Sequence, residues 1–167
     1  LIQMRGQELL FMNNSVVYFL NTQGVLFMVF FVLLFLYFTE KKHELFKHTL
    51  LVFAITLFST TLLKELFNIP RPFQSSSVIQ SAGLAYFPSF PSSHAAIAFA
   101  VATIVALHNR RVGIFLLILA SLVSIGRVAA HVHYPIDIAF GTLLGVTIAL
   151  FFDTFHIKRQ KKSKKYS

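Results

Sequence analysis

Four apolar stretches, at about Leu45–Phe67, Ser93–Leu107, Val112–Ala130 and Pro135–Phe155, approach the roughly 20 residues an α-helix needs to cross a bilayer. The connections between them are short apart from Asn68–Ser92. This pattern predicts an all-α integral membrane protein folded as one compact domain. Composition agrees. Of 167 residues, 56% are hydrophobic and only 13% are charged, whereas soluble domains carry roughly 25% charged residues.

The N-terminal region adds one or two helices, for a bundle of five to six transmembrane helices. Val25–Phe38 is apolar throughout, but its 14 residues make only about 21 Å of helix, against a hydrocarbon core of about 30 Å. That span extends back through Asn21–Gly24 or crosses where the bilayer is thin. Glu8–Leu20 is a short sixth span or an interfacial, steeply tilted helix, and the second reading is preferred. The expected organisation is a single membrane domain over 1–157, with 1–24 as its N-terminal interfacial or short membrane helix. A basic cytoplasmic tail follows over 158–167, mobile beyond His156.

The formal charge of +9 does not point to nucleic acid, because of where the charge lies. Six of the 15 Lys and Arg residues are in the tail, and Lys41, Lys42, Lys47, Arg110 and Arg111 stand at span ends. Counted along alternating spans, all of these fall on one side, which the positive-inside rule makes cytoplasmic. Attraction to anionic lipid follows from the same charges. The loop Asn68–Ser92 and the turn His131–Tyr134 then face the other side. With no cysteine, neither a disulfide nor a thiolate site is available.

Three clusters border those two outward segments: Lys64-x6-Arg71-Pro72, Pro91-Ser92-Ser93-His94, and Arg127-x5-His133-x3-Asp137. Together they offer three cations, two histidines, hydroxyls and a carboxylate, a set suited to holding and moving a phosphate. Each part also has a plainer reading. Lys64, at the end of its span, can simply snorkel or pair with Glu65, yet charge within a membrane is costly and rarely idle. Arg71 is a solvated loop residue or a guanidinium stiffened by Pro70 and Pro72 to grip phosphate bidentately. Ser92 is a good helix N-cap, and a helix N-terminus also suits an anion. His94 there can donate a proton to a leaving oxygen.

A histidine four residues before a carboxylate can be oriented by it, which leaves the other ring nitrogen to attack. His133 and Asp137 have that spacing. His131 competes for the role, but an interfacial or supporting place suits it better. His43, His48, His108 and His156 lie on the cytoplasmic side and read as ordinary. His131, His133 and Asp137 make a zinc site on paper, but Lys64, Arg71 and Arg127 would repel a divalent ion and attract an anion. No metal or other cofactor is expected. Gly141-x3-Gly145 and the alanines between Ala96 and Ala106 read as close helix packing.

In this order and spacing the clusters resemble the type 2 phosphatidic acid phosphatase superfamily, whose signature is K-x6-R-P, P-S-G-H and S-R-x5-H-x3-D. The resemblance covers about Lys64 to Asp137. It implies the phosphatidic acid phosphatase/vanadium haloperoxidase-like fold. It also implies that Lys64, Arg71, Ser92, Ser93 and Arg127 bind phosphate, the Ser93 part through its backbone N–H. His133 would become a phosphohistidine, Asp137 would orient it, His94 would protonate the leaving group, and water would release phosphate without a metal. Two positions depart from the signature: Ser93 replaces glycine and Gly126 replaces serine. These changes reshape the pocket but remove no nucleophile, acid or cation.

The expected function is a lipid phosphatase in a bacterial inner membrane, with its site facing the periplasm or outside. The candidate substrates are undecaprenyl pyrophosphate, phosphatidylglycerol phosphate and lipid A 1-phosphate. Phe73, Tyr86, Phe87 and Phe90 would rest at headgroup level and admit the lipid. A lipid phosphotransferase with the same site is the first alternative, since the motif does not encode the acceptor. A non-catalytic lipid-binding scaffold is less favoured because nucleophile and cations are all present. A channel or transporter is disfavoured too, because the charges gather at one face rather than line a path.

Overall fold

The structure, a computed structural model, describes residues 27–28, 30–32, 34–35, 42–72 and 88–165. Four helices are defined: α1 (Lys42–Phe67), α2 (Ser93–His108), α3 (Arg110–Ala129) and α4 (Pro135–Lys165). The described residues between 27 and 35 are helical too. The expected helix at Glu8–Leu20, most of the loop bearing Phe73, Tyr86 and Phe87, and the ends of the Val25–Phe38 span lie outside the described residues.

Local sequence sets most helix ends. Asn68 terminates α1 in the left-handed conformation, at φ 46°, with its N–H on the Lys64 carbonyl at 2.9 Å; asparagine is one of the few residues that adopts it readily. Asn109 serves two helices. Its N–H closes α2 on Val105 and its side chain caps α3 at Val112 N–H, at 3.2 Å. Within α1, the hydroxyls of Thr49, Thr56 and Thr61 bond back to carbonyls four residues earlier, so these three are not left bare toward an apolar surround.

Among the described residues, three helices are long and apolar enough to cross a membrane: His43–Phe67, Arg110–Ala129 and Pro135–Phe155. The expected span at Ser93–Leu107 is a helix of only 16 residues, about 24 Å long, because Ser92 and Asn109 cap it at both ends. It is the central helix. α1, α3 and α4 all pack on it, and Ala95, Ala96, Ala100, Ala102, Ile104 and Val105 along it have no exposed surface. Conversely, α1, α3 and α4 expose large apolar side chains such as Phe58, Leu66, Ile125 and Leu143. An apolar rim around a packed centre is what lipid as solvent requires.

Small residues let the helices touch. A Cβ on Gly141 would lie 2.5 Å from the Ser92 carbonyl oxygen, and one on Gly145 would overlap the Ala96 carbonyl. The expected Gly141-x3-Gly145 face is therefore the α2–α4 contact. At the C-terminus α4 continues to Lys165. Lysine, arginine and glutamine favour helix, and cations suit a helix C-terminus.

Candidate active site

The turn between α3 and α4 builds the centre of the site. α3 closes with Val132 N–H on the Arg127 carbonyl at 3.2 Å and His131 N–H on Val128 at 2.9 Å. This six-to-one and five-to-two pairing places His131 in the left-handed conformation, φ 53°. The His131 side chain points to solvent, so its place in the structure is the turn. α4 then begins with Pro135 at its first position. Asp137 reaches back through Oδ2 to accept the Tyr134 N–H at 2.8 Å, as a carboxylate in a capping box does.

The same Oδ2 is 3.3 Å from His133 Nδ1, and both side chains are 1% exposed. The spacing predicted this pair and the structure forms it. With Nδ1 engaged, Nε2 is the ring nitrogen left to meet a substrate. Sequence reasoning missed a third member. Ser89, fully buried, donates its hydroxyl to Asp137 Oδ2 and lies 3.4 Å from His133 Nδ1. Its only mark in the sequence is its position between Pro88 and Pro91, just ahead of the Ser92–His94 motif.

The predicted cations converge on this pair. Burial first, then the charges of Arg127, Arg71 and Lys64 and the neighbouring His94, hold the His133 imidazole well below its ordinary value. That environment disfavours the charged ring, and a neutral imidazole is the form able to act as a nucleophile. Burial also lowers the Arg71 guanidinium, opposed by the Asp137 carboxylate. Arg127 is buried on the last turn of α3. Lys64 donates to the carbonyls of Pro88 and Ser89, at 3.0 and 3.1 Å, and so ties α1 to the segment that carries Ser89. An ammonium has three donors, so one remains for an anion.

The motif opening α2 combines both readings made of it. Ser92 is fully buried and is the N-cap, its hydroxyl accepting from Ala95 N–H at 3.4 Å. Its own N–H bonds the Asp137 carbonyl at 3.1 Å, which locks the start of α2 to the start of α4. Ser93 and His94 follow on the first turn, half-buried, and the charges of Arg127, Arg71 and Lys64 act on His94 as well. Gly126 is buried in α3 beside Arg127. The aromatic expectation fails at Phe90, which is buried between Phe67 and Phe140, at ring distances of 5.2 and 5.0 Å. A residue two positions from the cap of α2 is drawn into the packing rather than left at headgroup level.

A cleft of about 490 Å³ opens beside this end, lined by Phe99, Ile125, Val128, Pro135 and Ile138 among others. Val128 and Ile138 adjoin Arg127 and Asp137 in the chain, although no residue of the charged centre itself lines the cleft. The zinc arrangement weighed for His131, His133 and Asp137 does not form. Among the described residues, the set of three close metal-capable side chains is His48, His108 and Asp153. His48 and His108, read from the sequence as ordinary, are two of its three members.

The profile of the PAP2 superfamily matches residues 45–161. The chain is 32% identical over 142 residues to the bacitracin transport permease protein BcrC of Bacillus licheniformis, covering 84% of this chain and 70% of that one. It is 31% identical over 86 residues to the undecaprenyl-diphosphatase BcrC of Bacillus subtilis, covering 52% of this chain and 45% of that one. The crystal structure of Aquifex aeolicus LpxE superposes with a TM-score of 0.65 at 26% identity, covering 88% of this chain and 85% of that one. Carrying that profile over most of its length and sharing that helical bundle, this integral membrane protein belongs to the PAP2 superfamily.

Proposed function

We propose that this chain removes phosphate from undecaprenyl pyrophosphate at the outer face of a bacterial inner membrane, through a phosphohistidine on His133. Membership of the PAP2 superfamily makes it a membrane-embedded hydrolase of lipid phosphates; the substrate, the face and the residue roles are this proposal's own. The observation that carries it is the buried His133–Asp137 pair, surrounded by the charges of Arg127, Arg71 and Lys64. The name of the B. subtilis relative favours a polyprenyl diphosphate over phosphatidylglycerol phosphate and lipid A 1-phosphate. The apolar cleft between α2, α3 and α4, whose lining includes the chain neighbours Val128 and Ile138 of Arg127 and Asp137, supports a long apolar tail.

In this reading Lys64, Arg71, Arg127, Ser92 and the Ser93 N–H hold the terminal phosphate. They neutralise the charge that spreads over its oxygens as the transfer proceeds. His133 Nε2 attacks phosphorus while the bond to the bridging oxygen breaks. His94 gives that oxygen its proton, and Asp137 and Ser89 steady the imidazolium that forms. Water then takes the phosphoryl group from His133, releasing inorganic phosphate. The basic residues at the other ends of the helices support a cytoplasmic placement for that side. A domain over 1–157 with five to six membrane helices completes the proposal.

Phosphate release by the purified protein in detergent with EDTA, across the three lipids and beside His133→Ala, tests it. Release from undecaprenyl pyrophosphate that vanishes in the variant is the expected result. Preference for another lipid overturns the substrate. Release only when an acceptor lipid is added makes the protein a phosphotransferase.

A further inference from the structure

Each of the three helices that bring Lys64, His94 and Asp137 to one end carries a metal-capable residue near its other end. α1 holds His48, α2 His108 and α4 Asp153. The intervals correspond to about 21–24 Å of helix, so this second group lies across the bundle from the phosphate-binding end. Its donor atoms all fall within 4.8 Å of one another, and the two imidazole rings are 6.3 Å apart, edge to face. His48 and Asp153 are buried, at 5% and 7% exposure, while His108 is open to solvent.

Two further features fit a metal ion. His108 Nδ1 lies 2.9 Å from the Ile104 carbonyl. A carbonyl only accepts, so Nδ1 carries the proton and Nε2 is left with its lone pair, the arrangement metal-ligating histidines adopt. Neither of the ion pairs Lys47–Glu44 and His133–Asp137 involves Asp153. A buried carboxylate in a membrane helix is costly without a positive partner, and a divalent cation is such a partner.

We propose that His48, His108 and Asp153 bind a divalent transition-metal ion of the zinc class, which pins α1, α2 and α4 together at the end opposite the phosphate site. Two imidazoles and a carboxylate suit Zn²⁺, Co²⁺ or Ni²⁺, whereas Mg²⁺ and Ca²⁺ take oxygen donors. Ligands around tetrahedral zinc stand about 3.4 Å apart, so the cluster tightens by up to about 1.4 Å as the ion enters. Exposed His108 has the room to move, and water completes the coordination on its open side. Lys47, Arg110 and Arg111 belong to the same end of the bundle, but all three are exposed and solvent screens them. The ion acts as a clamp, and its binding free energy adds to that of folding.

The test is metal binding by the tag-free full chain in detergent, stripped with chelator and titrated with Co²⁺, with thermal unfolding followed in Zn²⁺. The parent is expected to bind one equivalent of Co²⁺ with visible d–d absorption and to gain thermal stability in Zn²⁺. His108→Ala and Asp153→Asn should each weaken binding more than about tenfold and lose the thermal gain. His133→Ala and the double variant His43→Ala/His156→Ala should bind like the parent. Phosphate release by His108→Ala in EDTA, at the parent's level, shows that this variant is folded. Absence of Co²⁺ binding by the parent, or binding that survives in both His108→Ala and Asp153→Asn, overturns the proposal.

Discussion

Asp137 Oδ2 lies 3.3 Å from His133 Nδ1 while also accepting the Tyr134 N–H at 2.8 Å. One carboxylate thus caps α4 and orients the imidazole. Asp137→Asn keeps the shape but loses the charge that steadies a positive ring. Phosphate release should fall by about 10²–10⁴-fold with a small loss of thermal stability. Ser89→Ala removes only a supporting hydroxyl and should lower kcat by about tenfold or less with KM unchanged. Equal losses in the two variants would deny Asp137 a special place.

The proposed mechanism gives His94 and His133 different roles, so leaving-group chemistry should tell the two apart. A substrate whose leaving oxygen needs no proton, such as an aryl phosphate with an acidic phenol, bypasses a general acid. His94→Ala should lose most activity on lipid phosphate and regain much of it on the aryl ester. His133→Ala should be inactive on both. If the aryl ester rescues neither variant or both alike, the assignment of His94 as acid is wrong.

Much of this site is legible in the sequence because it is local. His133 and Asp137 stand four residues apart across a helix start, with Pro135 marking that start, and Arg127 stands on the preceding helix end. Ser89 could not be read this way. It reaches Asp137 only because Lys64 and Ile69 hold its segment against the bundle, through Lys64 Nζ on the Ser89 carbonyl at 3.1 Å and Ser89 N–H on the Ile69 carbonyl at 2.7 Å. The meeting of His48, His108 and Asp153 is equally non-local, set by how three helices align. Helix ends fared differently. Asn109 ends one helix and starts the next, so α2 closes one residue past the end of its apolar run, and the basic C-terminal run has the composition of a helix as much as that of a tail.

The lowered imidazole of His133 has a consequence for stability. The folded protein binds fewer protons there than the unfolded chain, so stability rises with pH across that interval. The contribution is complete above the unfolded value of about 6.5 and is lost as the pH falls below it toward the lowered folded value. The melting temperature in detergent should drop between pH 7 and 5, and His133→Gln should flatten that drop. A slope in His133→Gln equal to the parent's would mean that other groups set it.

His131 occupies a left-handed position at φ 53° that glycine fills without steric penalty. Its side chain is exposed. His131→Gly should therefore retain phosphate release and hold or raise stability by up to about 1 kcal/mol. A large loss of activity with stability intact would restore His131 as a participant in the chemistry.

The approach of α4 to α2 at Gly145 ties the packing to the site. Any Cβ there meets the Ala96 carbonyl, which is backbone and cannot swing aside. Gly145→Val must push the helices apart, at a cost of about 1–3 kcal/mol for overpacking. The same separation strains the 3.1 Å bond from Ser92 N–H to the Asp137 carbonyl, one turn from Ala96 on α2 and about two turns from Gly145 on α4, and with it the alignment of the α2 N-terminus to the His133–Asp137 pair. Gly145→Val should therefore lower both the unfolding midpoint in detergent and kcat, whereas Leu143→Val on the lipid-facing side of α4 should change neither. Full activity in a destabilised Gly145→Val protein would show that the site tolerates the shift and that Ser92 need not be held to Asp137.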